Sequence, residues 1–228
     1  MGLESGIDRT RLPRGTHGID PADILRSQRM RMYIGVLEAV AERGYSTTTV
    51  ADIVSRANVS RRTFYEQFRD RDDCFAAAFD KAVELVVEIM DASITGALMA
   101  DWRNLIRTTL GEYLQTLTDN DFCARALHVE ALAAGPHVAQ QRRRMKSLLA
   151  QRMQAAFRIG RDAGDIPVDI PTDIFDALIG AIDDRIRDCI QGPGPHALPG
   201  LVPHLYQITL ALFGVPEFAQ QPKLGDLQ

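Results

Sequence analysis

The chain has 228 residues, 46% apolar and 25% charged, with a net charge of −4; these values describe a globular chain with an ample core and exclude low-complexity and collagen-like classes. No apolar run approaches the roughly 18–20 residues that a membrane-spanning helix needs. Three widely spaced cysteines, Cys74, Cys123 and Cys189, are odd in number and argue against a disulfide framework. The first twenty residues lack the apolar core of a secretory signal, so the cytoplasm is the expected compartment, with no membrane partner.

In chain order, residues 1–20 contain Gly, Pro and Arg without apolar periodicity and read as a flexible arm. Arg11 and Arg14 make it either an arm that reaches DNA or a tail with no DNA role. Pro21 to Arg43 reads as a helix, with Gly44 as its stop signal. Then Val50, Ile53, Val54 and Ala57 recur on one helical face, preceded by Thr49 with Asp52 three residues on, close to a capping box. Asn58 takes the turn, and Ser60 caps a second short helix held from behind by Phe64 and Phe68. That leaves Arg61, Arg62, Tyr65 and Glu66 pointing outward. This is the spacing of a helix-turn-helix.

Charge supports the division into head and body. Residues 1–69 carry eleven Arg against eight Asp and Glu, about +3, whereas the remainder carries about −7; phosphate binding answers to the local patch rather than the total. Arg61 and Arg62 are the candidates for reading base edges, with Thr63 near enough for a base or backbone contact. Tyr65, Arg69, Thr48 and Thr49 are candidates for phosphate contacts, and Ser60 and Gln67 complete the expected DNA-binding set.

Asp70 to Asp73 opens a long helix with apolar positions Phe75, Phe79, Ala82, Val83, Val86 and Met90. A loop is expected near Ala92 to Ala100, then helices from Trp102 to about Leu117, from Asp121 to Ala134 (ended by Gly135-Pro136), and from about His137 to Arg161. The last of these carries Arg142-Arg143-Arg144, read as a solvated run. Thr172 to Gln191 and Leu201 to Phe213 are apolar on more than one side, with a loop from Gly192 to Gly200 between them. Helices of that kind must be covered twice. A second copy of the chain would supply the outer cover, so Leu178, Ile182, Ile186, Leu205, Ile208 and Leu212 are expected at a homodimer interface. No strand-like segment of useful length occurs. The fold class is all-α: a three-helix helix-turn-helix head over residues 21–69, a helical body over 70–215 and a tail over 216–228.

No nucleophile elbow, phosphate-binding loop or zinc-protease motif is present, so the chain is not expected to be an enzyme or to need a cofactor or metal. His128-Val-Glu130 has the H-x-E form but lacks the downstream P-C-x-x-C of zinc deaminases, and residues two apart point to different sides of a helix. Asp183-Asp184-Arg185 could hold a metal or effector, though such a turn is usually solvated or salt-bridged.

The run G-Y-S-T-T-T-V-A-D-I-V-S-R-A-N-V-S-R-R-T-F-Y-E-Q-F, from Gly44 to Phe68, resembles the DNA-binding signature of TetR-family transcriptional regulators. The resemblance extends over roughly residues 27–79. Asn58 stands where the family more often has glycine, and Gln67 where histidine is common. The resemblance implies a homodimer on a double-stranded operator and a small-molecule effector enclosed by the body helices. Met90, Leu110, Tyr113, Leu114, His128 and Phe157 are the candidate lining, apolar with two polar handles. The expected function is a repressor released from DNA by a small apolar ligand. The competing readings are an all-α ligand carrier, an activator and an effector-independent regulator.

Overall fold

Side-chain caps fix the register of the first helices. In the computed structural model, residues 20–215 are described. Asp20 accepts from the Ala22 N–H and opens helix α1 (Pro21–Arg43). Thr49 and Asp52 form a reciprocal capping box at the start of α2 (Val50–Ala57): Thr49 Oγ1 accepts from the Asp52 N–H while Asp52 Oδ2 accepts from the Thr49 N–H at 2.9 Å. Asn58 ends α2 in the left-handed conformation, at φ 51° and ψ 50°. It is the one non-glycine residue with positive φ among the described residues, and Asn tolerates that region better than most side chains. Ser60 then accepts from the Thr63 N–H at 3.0 Å and starts α3 (Arg61–Tyr65). Phe64 and Phe68 are buried beneath α3, as expected.

Helix α1 braces this unit from behind. It packs along α2 on one side, and on the other against α4 (Arg71–Ala92) and the body helix α7 (Asp121–His128). The approach to α2 is close at Gly35, where a Cβ would stand 3.1 Å from the Ile53 carbonyl oxygen and 3.3 Å from the Ala57 nitrogen. Met32, Val36, Ala39 and Val40 are fully buried, whereas Leu25 is half exposed because the first turns extend beyond the packed core.

The body contains α5 (Gly96–Met99), α6 (Trp102–Asp119), α7, α8 (Gly135–Asp162), α9 (Thr172–Gln191) and α10 (Val202–Leu212), with 3-10 turns at Glu130–Ala133 and Pro195–Leu201. Four expectations change. The helix expected over Asp121 to Ala134 stops at His128, and the 3-10 turn Glu130–Ala133 follows it. The segment expected as a loop near 92–100 contains α5, where Thr95 Oγ1 accepts from the Leu98 N–H. Gly135-Pro136 opens α8 instead of merely ending the helix before it, because proline's missing N–H costs nothing in a first turn. The Gly192–Gly200 segment is partly a 3-10 turn that buries Leu198. The described residues contain no strand, and none of their helices is long and apolar enough to cross a membrane. Buried apolar residues run as one cluster from Met32 in the head to Phe213 in the body.

Loss of the capping box by Thr49→Ala is expected to cost about 1 kcal/mol in urea unfolding. Asn58→Gly should leave the midpoint nearly unchanged, since glycine takes the same left-handed conformation.

Candidate nucleic-acid interface and ligand cavity

The outer side of α3 presents Arg61, Arg62 and Tyr65, all exposed. Arg62 Nε donates to Glu66 Oε1 at 2.9 Å, an exposed pair one helical turn long that holds the guanidinium loosely. Arg69 makes the equivalent pair with Asp73, also at 2.9 Å, and stays largely exposed. Ser60 and Thr63 are joined through their hydroxyls at 2.9 Å, and Gln67 is partly covered, its amide reaching Gln28 at 3.5 Å. Thr49 is exposed, but its hydroxyl lies within the capping box.

Thr48 is withdrawn from the phosphate-contact set. Its side chain is buried, and its hydroxyl donates to the Gly44 carbonyl at 2.9 Å, which fixes the entry into α2. Arg11 and Arg14 lie outside the described residues. Sequence reasoning missed Arg71: its Nη1 donates to the carbonyls of Tyr45 and Thr48, and its guanidinium stands 4.5 Å from the Tyr45 ring centroid. Burial, and then a hydrogen bond with Asp72, push the Tyr45 hydroxyl up to about 12. Arg71 thus clamps the turn that leads into α2, a contact across 26 residues that no local pattern shows.

A cavity of ≈ 190 Å³ lies in the body between α6, α8 and α9. Of the expected lining residues, Met90, Leu110, Tyr113 and His128 face it. Leu114 and Phe157 do not. Leu114 is fully buried core on α6, and Phe157 packs edge-on to Phe213 and Phe175 at 5.0 and 5.5 Å, a cluster with Trp102 at the far end of the body.

A chain of polar groups forms one part of the cavity wall. The Tyr113 hydroxyl lies 3.0 Å from His128 Nε2, and His128 Nδ1 lies 2.8 Å from Asp183 Oδ1. Because a carboxylate only accepts, Nδ1 carries the hydrogen; in the neutral ring Nε2 is then the acceptor for the Tyr113 hydroxyl. Asp183 Oδ2 accepts from Arg142 Nη2 at 2.8 Å, and Arg142 Nη1 donates to the Leu127 carbonyl at 2.7 Å. Burial alone would raise the Asp183 carboxyl, but the hydrogen bond and charge of His128, with Arg142 and Lys146 beyond, hold it below its ordinary range. Burial, and then the Asp183 charge, push the Tyr113 hydroxyl up. Arg142 is therefore a buried ion-pair partner, not part of a solvated run; of that run, Arg143 and Arg144 are the exposed members.

His128 and Glu130 act on different neighbours. Glu130 Oε2 accepts from the Tyr45 N–H at 2.9 Å, joining the body's Glu130–Ala133 turn to the turn before α2. Among the described residues no group of His, Cys, Asp and Glu is arranged to hold a metal.

The expected dimer residues are also redistributed. Leu178, Ile182, Ile186 and Leu205 are buried within the single chain, and Ile182 and Ile186 line the cavity. Ile208 is half exposed and Leu212 partly so. The outer sides of α9 and α10 present Ala177, Ala181, Ile208 and Ala211. The broad apolar character of α9 and α10 in the sequence is thus largely consumed by the chain's own core.

The geometry is that of a capped helix-turn-helix with basic residues outward, set on an all-helical body with an internal cavity. Residues 37–78 match the model of bacterial regulatory proteins of the tetR family. No curated protein matches the sequence. Among solved structures, the fatty acid degradation regulator FadR from Bacillus halodurans superimposes with a TM-score of 0.69 at 16% identity, covering 85% of this chain and 97% of that one. FadR from Bacillus subtilis, in complex with stearoyl-CoA, gives 0.67 at 17% identity over 80% and 98%. SmeT in complex with triclosan gives 0.67 at 17% identity over 86% and 98%. The family match thus covers the helix-turn-helix segment, and the solved structures share the all-helical fold of the chain as a whole.

Asp183→Asn should cost about 3 kcal/mol, because it leaves Arg142 buried without its counter-charge. The pH dependence follows from the depressed carboxyl: its contribution is complete above the ordinary value of 3.8 and is lost as pH falls through the lower folded value. Urea midpoints across the acid range should show this loss in the wild type and not in the variant.

Proposed function

We propose that the chain is a homodimeric repressor that leaves its operator when a small, largely apolar molecule occupies the body cavity. The observation that carries this reading is the pairing of two features in one chain: α3 with Arg61, Arg62 and Tyr65 outward, and a walled, mostly apolar cavity. A ligand carrier would account for the cavity but not for the exposed, capped basic helix. The domain division proposed is a head to residue 69 and a body from residue 70, and the compartment proposed is the cytoplasm.

Arg61 and Arg62 are assigned to base edges or adjacent phosphates in the major groove, with Thr63 beside them and Tyr65, Arg69 and Thr49 toward the backbone. Two copies would pair through the outer sides of α9 and α10, where Ala177 and Ala181 allow close approach and Ile208 supplies apolar surface. Such a pair would set two α3 helices about one turn of DNA apart. The cavity reaches the head through α7, which carries His128, packs on α1, and leads into Glu130 at the Tyr45 N–H. A ligand that binds better when α7 is displaced would favour a different head position, and its differential affinity is what would release DNA.

In gel shifts with sites selected from random duplex DNA, Arg61→Ala and Arg62→Ala should each weaken selective binding by about tenfold or more, with the double variant losing site preference. Ile208→Glu should give a monomer by sedimentation and weaken the same complex. Retention of selective binding by the double variant would sink the site assignment, and a stable Ile208→Glu dimer would sink the proposed pairing face.

Glu130→Gln keeps the shape but weakens the bond to the Tyr45 N–H. It should leave ligand affinity by calorimetry within about twofold while reducing the ligand's effect on DNA affinity. Unchanged coupling in this variant would remove Glu130 from the route.

A further inference from the structure

We propose that the cavity takes an apolar molecule ending in a carboxylate, and that the Lys146 ammonium binds that carboxylate. This rests on the reading of the cavity as the effector site. The wall is mostly apolar, so its few charged groups decide which ligand end it accepts. They can be sorted by partner. Arg152 is held by Asp91 through two contacts, at 2.5 and 2.9 Å. Asp183 spends one oxygen on His128 and the other on Arg142, both at 2.8 Å. Thr109 is neutral.

Lys146 remains. It lines the cavity from α8, is partly buried, and has no hydrogen bond or ion pair with any described residue. Its Nζ lies against α9 at Gly180, where an added Cβ would be 3.6 Å away. The Lys146 charge does act on Asp183, but that carboxylate is already satisfied by shorter bonds. Around it, Arg142 and Lys146 together outnumber one carboxylate, so this part of the wall has an excess of positive charge.

A partly desolvated ammonium that makes no hydrogen bond or ion pair among the described residues is unfavourable, and an incoming carboxylate offers a charge-assisted bond stronger than any neutral group can make. An alcohol of the same length would fill the same volume without meeting that charge. An alkyl cation would be repelled. The remainder of the ligand would lie along Met90, Leu110, Met153 and Ile179, where only apolar contact is available.

The test compares decanoate, decanol and decyltrimethylammonium by isothermal titration calorimetry on the full chain, as wild type, Lys146→Met and Lys146→Arg. The wild type should bind decanoate about tenfold or more tightly than decanol, and the ammonium most weakly. Lys146→Met should lose the preference for decanoate while its affinity for decanol is kept, which also shows that the cavity is intact. Lys146→Arg should retain the preference. Equal affinity for acid and alcohol in the wild type, or an undiminished acid preference in Lys146→Met, would overturn the proposal and leave the cavity reading standing. Absence of binding by all three probes would instead overturn the cavity reading itself, and this proposal with it.

Discussion

The recognition helix is only five residues long and cannot hold its own position. What fixes it is the burial of α1 on two sides. Met32, Val36, Ala39 and Val40 leave no exposed surface, one flank of the helix being filled by α2 and the other by α4 and α7. The close approach at Gly35 brings α1 and α2 nearly backbone to backbone, so they move as a unit. The same helix that sets the angle of α3 is therefore seated in the body. Head and body share one apolar core, and the orientation of the head is a property of the whole chain.

The polar interior follows a similar economy. Asp183 is a buried carboxylate whose two oxygens serve two different helices, reaching His128 on α7 and Arg142 on α8. Arg142 in turn closes the end of α7 by binding the Leu127 carbonyl. Such an arrangement adds little net stability compared with an apolar core of the same volume, but it is costly to break and admits only one registry of the three helices. These bonds therefore fix this part of the cavity wall.

The sequence shows what local chemistry determines. Thr49 with Asp52, Asn58 in the turn, Ser60, and the paired phenylalanines each act within a few residues, and the helix-turn-helix they specify is present at the expected positions. The all-helical class and the limits of α1 and α9 are legible for the same reason. What is not legible depends on contacts between distant segments. Three arginines in a row look solvated until Asp183, some forty residues on, is seen to face the first of them. Phe157 and Leu114 fit a cavity by composition as well as Met90 does; only packing assigns them to core. Leu178, Ile182 and Ile186 mark α9 as buried without saying by which neighbour, and the neighbour is the chain itself.

His128 and Glu130 sit two residues apart at the end of a short helix, one facing the cavity and the other holding the backbone at Tyr45. On the proposed function, sensing and response would be joined over less than one helical turn, with no lever between them to enlarge or filter a displacement. A change that reshapes the cavity at His128 would then also reset the resting position of the head. Ligand preference and resting affinity for DNA would not be adjustable independently from this helix, whereas α8 and α9 could vary their cavity-facing residues without touching the head. New specificities would therefore accumulate on those two helices, while α7 stays fixed by the two tasks it performs at once.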